Sequence, residues 1–186
     1  MAQFRMTAEV ARPGGRARGR LLAPLAMMDC AWPESGEPNT GAAAQPEDRY
    51  PERHTRFPHD VTGIADQVYA RPPGFRPLTL DLYVPAKRSP ALPGIVFVHG
   101  GGWRSGHSRQ AGAFENWPVA QASVAARGYV VASVNYRLSS EARSPAAALD
   151  IKAAITWLRA NAGHYSLDKS KIGIWGASAG GQLAAL

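Results

Sequence analysis

Two short stretches of the chain bring together residue types suited to covalent chemistry. The first is Gly176-Ala177-Ser178-Ala179-Gly180, a G-x-S-x-G pattern close to the last residue given, Leu186. A serine hydroxyl is a weak nucleophile until its surroundings expose and activate it. A sharp turn from a strand into a helix does the exposing, because it lifts the hydroxyl above the edge of the sheet. Gly176 and Gly180 would flank Ser178 because a Cβ at either place would crowd the neighbouring strand or helix. A helix starting at Ala179 would aim free amides and the positive end of its dipole at the same spot. The second stretch is His99-Gly100-Gly101-Gly102-Trp103. Consecutive glycines cost roughly 1 kcal/mol each in chain entropy, so three of them suggest backbone that has to approach something closely. With no side chains in the way, the amides of Gly101 and Gly102 can point at a ligand oxygen. A nucleophile from one stretch and N–H donors at Gly101, Gly102 and Ala179 to hold a developing negative oxygen make up acyl-transfer machinery. Each motif also has a plain explanation: G-x-S-x-G is frequent by chance, and three glycines can serve a tight loop that needs positive φ. The context has to decide.

The elements that would position these residues follow from hydrophobic periodicity. Leu78 to Val84 alternates apolar and polar residues as a half-exposed strand does, and "ALPG" is expected to turn the chain before the next element. Ile95 to Val98 and Tyr129 to Val134 are continuous β-branched and aromatic runs, suited to strands covered on both faces, and Ile172 to Trp175 reads as a third. A helix is expected over Ala113 to Ala126. A second, with Ser144 as N-cap and Pro145 at the first helical position, would carry Ile151, Ala154, Ile155 and Leu158 as one apolar stripe ending near Gly163. Buried strands alternating with helices imply an α/β fold, a parallel sheet with helices on both faces. In such sheets chemistry sits beyond the carboxyl ends of the strands, and both glycine-rich motifs fall there.

Composition excludes several alternatives. The chain has 186 residues, 45% of them hydrophobic, enough for one ordinary domain. Its single cysteine, Cys30, rules out a disulfide framework and a cysteine-based metal site. The formal charge of +7 is carried by residues 61–186, which hold thirteen basic and six acidic side chains, whereas residues 1–60 hold eight of each. Those basic residues are scattered singles such as Arg76, Arg104, Arg127 and Arg159, without interleaved aromatics, so no nucleic-acid partner is expected. No apolar run is long enough to span a membrane. Residues 1–57 cluster Pro, Ala, Gly and Arg without helical or strand period and are expected to be disordered, with the partial domain over 58–186. "LLAPLAMM" resembles the apolar part of a secretory signal, but it holds Pro24 and leads into Asp29 and Cys30 instead of a cleavage site. A cytoplasmic location is therefore favoured, with secretion left open. Neither glycine motif has the spacing of a dinucleotide fingerprint and no P-loop lysine is present, so no cofactor and no metal are expected.

"VFVHGGGW", "VNYRL", "SPAAALDIKAAITWLRANA" and "IGIWGASAGGQLAAL" together resemble the α/β-hydrolase fold, in particular the serine esterases related to hormone-sensitive lipase and to bacterial acetyl or feruloyl esterases. The resemblance runs from about Gln67 to Leu186. It implies Ser178 as nucleophile, Gly101, Gly102 and Ala179 as the oxyanion hole, His99, Gly100, Gly176 and Gly180 as motif-supporting residues, and a small-molecule carboxylic ester as substrate. Oligomeric state is not implied. Many relatives have an acidic, proline-containing stretch after "YRL" where this chain has "SSEAR", so acyl preference does not carry over.

In the family the catalytic acid and histidine follow the serine, and after Ser178 this sequence contains no Asp, Glu or His. Five histidines precede it, none a good base. His99 belongs to the oxyanion loop, His107 lies just past it, His164 follows a helix end, and His54 and His59 precede the core. The expectation is an esterase domain truncated after its nucleophile, with Ile172–Trp175 mid-sheet and its next neighbour supplied by residues after Leu186. Alone it should be inactive. Two other readings stay open: a hydrolase-like small-molecule binding protein without catalysis, and a nonfunctional remnant. Asp150 is expected to be a solvated or helix-end carboxylate, Arg137 a structural ion-pairing residue, and Trp103, Phe114 and Trp117 either packing aromatics or the lining of the entrance.

Overall fold

Six strands form one sheet in the order β1-β2-β3-β5-β4-β6. The computed structural model describes residues 53–87, 89–112 and 114–186. The strands are β1 (Arg53–Phe57), β2 (Val61–Ala70), β3 (Leu78–Pro85), β4 (Leu92–Val98), β5 (Val130–Val134) and β6 (Leu167–Gly176). The helices are α1 (Trp117–Ala125), α2 (Ala146–Ala160), α3 (Ala162–Tyr165) and α4 (Ala179–Ala185). Arg53–Phe57, the last five residues of the segment expected to be disordered, form a strand, because β1 pairs antiparallel with β2 from Arg53↔Ala65 to Phe57↔Val61. Cys30 and the "LLAPLAMM" stretch lie outside the described residues.

The sheet has two parts. β1, β2 and β3 form an antiparallel meander, and β3 joins β5 antiparallel as well. β5, β4 and β6 are parallel, as their continuous apolar runs predict. All five residues of β5 are buried, and successive ones serve opposite faces. Val130, Ala132 and Val134 pack with Ile151, Ala154 and Leu158 of α2. Val131 packs with Ala122 and Ala125 of α1 and with Tyr83 and Val61. The crossover helices thus cover the two faces.

Three boundaries differ from the sequence expectation, each for a local reason. "ALPG" is not a turn: Leu92 and Gly94 belong to β4, and the irregularity falls between them at Pro93, which has no N–H to give to the ladder. α1 starts at Trp117, four residues after Ala113, because the Asn116 side chain accepts from the Val119 amide at 3.3 Å with Pro118 in the first turn. α2 starts at Ala146 with Pro145 in the cap position instead of Ser144. It stops at Ala160, where the Asn161 side chain donates to the Trp157 carbonyl at 2.8 Å.

Candidate active site

β4 and β6 lie side by side, paired from Gly94↔Ile172 to Val98↔Gly176, so the two glycine motifs leave the sheet at neighbouring carboxyl ends. The chain order reverses here. From β4 it moves to β5 on one side, and from β5 it crosses through α2 to β6 on the other. The crevice outside such a reversal is where open α/β sheets bind ligands.

Ser178 occupies the turn between β6 and α4 with φ 54° and ψ −124°, a combination that non-glycine residues rarely adopt. Backbone held this way costs about 1–3 kcal/mol and persists only where its surroundings enforce it. The enforcement is visible: the Gly180 amide donates to the Ala177 carbonyl at 3.0 Å and the Gln182 amide to the Ser178 carbonyl at 3.1 Å. A Cβ on Gly180 would run into the carbonyls of Val98 and His99, and one on Gly176 into the Gly180 carbonyl. Both glycines therefore allow α4 to start directly against the strand ends, as the pentapeptide predicts. Ser178 is exposed, and its hydroxyl has no hydrogen-bond partner among the described residues.

The His99–Trp103 loop reaches the same turn through Gly100. A Cβ there would lie 2.9 Å from the Ala177 carbonyl oxygen and 3.4 Å from the Ser178 Cβ. Gly101, Gly102 and Trp103 follow with φ of 114°, 59° and 60°. The Gly101 carbonyl is folded back, accepting from the amides of Arg104 at 3.1 Å and Ser105 at 3.2 Å. The Gly101 and Gly102 amides have no acceptor among the described residues.

His99 is 1% exposed and lies flat on Tyr136, the rings 4.3 Å apart at 14°. Its Nδ1 is 2.7 Å from the Gly100 carbonyl, and because a carbonyl only accepts, that nitrogen carries the proton. The Tyr136 hydroxyl donates to the His99 carbonyl at 3.0 Å. Burial pushes His99 below its ordinary pKa of 6.5, opposed by the bond to Gly100, and pushes the Tyr136 phenol up to about 12. His99 is thus a neutral, buried prop under the loop.

Gly101 and Ser178 share a cleft of about 540 Å³ walled by Phe97, Phe114, Trp117 and Trp175. These rings form one cluster, with Phe97 4.7 Å from Trp117 and 5.2 Å from Trp175, and Phe114 5.1 Å from Trp117. Phe97 and Trp175 are register partners on β4 and β6. Both escaped the sequence analysis because each sits inside a run that reads as plain core. The usable signal was their shared place one residue before the strand ends. Gly102 and Trp103 line a second cavity of about 480 Å³ with Arg104 and Arg137. Ala179 is buried as the first residue of α4.

Asp150 departs from expectation. It is 3% exposed, and its carboxylate accepts from the Arg137 backbone amide at 2.9 Å, from Nη2 at 2.7 Å and from Nε at 2.9 Å. The helix that carries it packs on the sheet at the end of β5, so a side chain there meets Arg137 before it meets water. Arg137 is the ion-pairing residue its position suggested. No histidine is hydrogen-bonded to Ser178 among the described residues; His107 is exposed and accepts from the Arg109 amide at 3.2 Å, and His164 packs edge-on against Tyr165. Among the described residues no group of three or more His, Cys, Asp or Glu is placed to hold a metal, and no helix is long and apolar enough to cross a membrane.

The chain resembles known proteins in sequence and in fold. Residues 80–186 match the BD-FAE family model, and the chain belongs to that family of the α/β-hydrolase superfamily. It is 41% identical over 103 residues to Esterase LipC of Mycobacterium tuberculosis, covering 55% of this chain and 24% of the relative. It is 36% identical over 113 residues to Carboxylesterase NlhH of the same species, covering 61% and 34%. Among solved structures, esterase 2 of Thermogutta terrifontis phosphorylated by paraoxon aligns with a TM-score of 0.56 at 35% identity, over 65% of this chain and 46% of that one. The chain therefore spans about a quarter to a third of the length of these curated relatives.

Proposed function

We propose that this chain is the nucleophile-bearing part of a serine hydrolase acting on small carboxylic esters. The observation that carries the proposal is the strained backbone of Ser178 with the Gly100 backbone packed against it and Gly101 lining the same cleft. The Ser178 Oγ attacks the ester carbonyl carbon while its proton passes to a general base. The carbonyl oxygen becomes an oxyanion held by the amides of Gly101, Gly102 and Ala179. Collapse of the tetrahedral intermediate expels the alcohol, which takes the proton, and water then cleaves the acyl-serine by the same steps. His99 keeps the donor loop in shape and takes no part in proton transfer. Residues 53–186 place no base against Ser178, so turnover needs a base and its acid partner from outside them. The esterase names of the relatives support the reaction class.

The unpartnered Ser178 hydroxyl equally favours a second reading, a hydrolase-like protein that binds small molecules in the aromatic cleft without cleaving them. One experiment separates the two. In a protein carrying this segment together with a catalytic acid and base, a fluorophosphonate should label Ser178 stoichiometrically and stop hydrolysis of p-nitrophenyl acetate. Tight binding of an ester without labelling or turnover would favour the receptor.

A further inference from the structure

Asp81 is 3% exposed in the middle of the sheet, on β3 opposite Ser133 of β5. A lone carboxylate in that place would be costly, yet its two oxygens take four donors. Oδ1 accepts from the Asp66 amide at 2.9 Å and from Arg109 Nη2 at 2.8 Å, and Oδ2 accepts from Arg109 Nε and Ser108 Oγ, each at 2.8 Å. Ser108 is 2% exposed and tied at every polar atom. Its amide donates to Asn135 Oδ1 at 2.7 Å, its carbonyl accepts from Ser133 Oγ at 2.6 Å, and its hydroxyl also accepts from Asn135 Nδ2 at 3.2 Å. Buried polar residues of two neighbouring strands, Asp81 in "LTLDLYV" and Ser133 in "VVASV", thus converge on two residues of one loop.

That loop is the one that begins at His99. Two residues before Ser108, Gly106 has φ 103°, and a Cβ on it would lie 2.5 Å from His99 Nδ1 and 2.6 Å from the Gly100 carbonyl. Packed backbone therefore runs without a gap from the Asp81 cluster through Gly106 to His99 and Gly100, and from Gly100 to the Ser178 turn. An ion pair between a buried carboxylate and a part-exposed guanidinium is a poor way to add stability, since apolar residues of similar volume at the buried position usually do as well or better. Its use is to fix one arrangement among several, which a loop rich in glycine needs.

We propose that Asp81, acting through Ser108 and Arg109, is a positioning residue that holds the returning limb of the His99–Arg109 loop and so sets where the Gly101 and Gly102 amides stand relative to Ser178. The consequence for turnover rests on the esterase function proposed above; the effect on the loop does not. Removing the clamp loosens the donor loop, which is one wall of the cleft, but leaves Phe97, Trp117 and Trp175 on β4, α1 and β6 in place, so contacts made in the transition state weaken more than ground-state binding does.

Arg109 is the residue to change, because its side chain is 42% exposed whereas Asp81 is buried. Arg109→Met strands the Asp81 carboxylate, so the double variant Asp81→Asn/Arg109→Met, which keeps the interior neutral, accompanies it, with Arg109→Lys as the conservative variant. Amide hydrogen exchange on this chain should show the Arg104 and Ser105 amides losing protection by about tenfold or more in both Met variants, β4 and β5 staying protected and Arg109→Lys lying between. In a protein carrying the catalytic acid and base, kcat should fall by about tenfold or more with KM within about twofold, the pattern of a lost transition-state contact. Unchanged loop exchange or unchanged kcat in the folded double variant would overturn the proposal and leave the cluster a purely structural one. If Ser178→Ala left turnover intact, the esterase reading would fail while the exchange result would still stand or fall by itself.

Discussion

Strands β4 and β6 carry similar four-residue apolar runs, "IVFV" and "IGIW", near their carboxyl ends and pair in parallel from Gly94↔Ile172 to Val98↔Gly176, yet only one of them is core. Val96, Phe97 and Val98 are at most 1% exposed, whereas Ile174 and Trp175 are 36% and 44% exposed. β4 has β5 on one side and β6 on the other, with its faces covered. β6 has a single strand neighbour among the described residues, and the helix after it, α4, has seven residues. A strand's burial is therefore supplied by its neighbours and not by its own composition. The candidate chemistry divides along the same line. The buried strand ends in a loop wedged by His99 and clamped by Asp81, suited to holding donors still. The exposed strand ends in the strained turn that presents a hydroxyl.

The largest expected effect breaks the β6 side of this pair. With a catalytic acid and base supplied, Ser178→Ala should lower ester turnover by about 10³-fold or more with the fold intact by circular dichroism, because nucleophile and base act as a unit. Retained fluorophosphonate labelling of that variant would show the nucleophile to be elsewhere. On the β4 side, Gly101→Val should cost on the order of 10²-fold in turnover, the scale of a lost oxyanion donor. Gly101 adopts φ 114°, and a Cβ there would meet the Ser105 carbonyl. Unchanged turnover would make the loop a connector.

A smaller pair of changes tests the burial contrast itself. Val96→Ala should destabilise by about 2 kcal/mol through lost burial and a cavity. Ile174→Ala should cost well under about 1 kcal/mol, since the side chain is already partly in water. Urea midpoints give both numbers, and equal losses would mean that β6 is covered in solution. Ile174→Lys should also reduce concentration-dependent self-association of the segment on size exclusion, because charge on an edge strand opposes pairing. The smallest effect is a slope with pH. Folding lowers the pKa of His99, so between that lowered value and 6.5 the unfolded chain binds more protons and stability rises with pH. The contribution is complete above about pH 6.5 and is lost as pH falls through the folded value. Urea midpoints from about pH 7.5 to about pH 5 should drop less steeply in His99→Gln than in the parent chain.

Much of this was legible in the residues. The parallel trio follows from three apolar runs separated by helical stripes, and the Ser178 turn from glycines at spacings that close packing demands. The meander of β1 and β2 was not legible, because "RHTRF" and "VTGIADQVYA" carry polar residues that show no clear strand period until β2 pairs with β3 and β1 with β2. The Asp150–Arg137 and Asp81–Arg109 pairs were missed for a related reason. A carboxylate in a helix or strand is indistinguishable from a solvated one until a distant guanidinium is brought to it, 13 positions away in one case and 28 in the other.

The sequence by itself determined the local geometry at the two motifs. Glycine at 100, 101, 176 and 180 permits approaches and a φ that other residues resist, and that depends only on the absence of a Cβ. It also determined which strands are parallel, through their period. The tertiary structure decided what those motifs are next to: Gly100 against the Ser178 turn, Gly106 against His99, and Phe97 and Trp175 facing one cleft. It also decided which apolar strand is buried and which buried carboxylate is neutralised by which arginine. These depend on strand order and register, set by the summed packing of residues far apart in the chain, which no local pattern encodes.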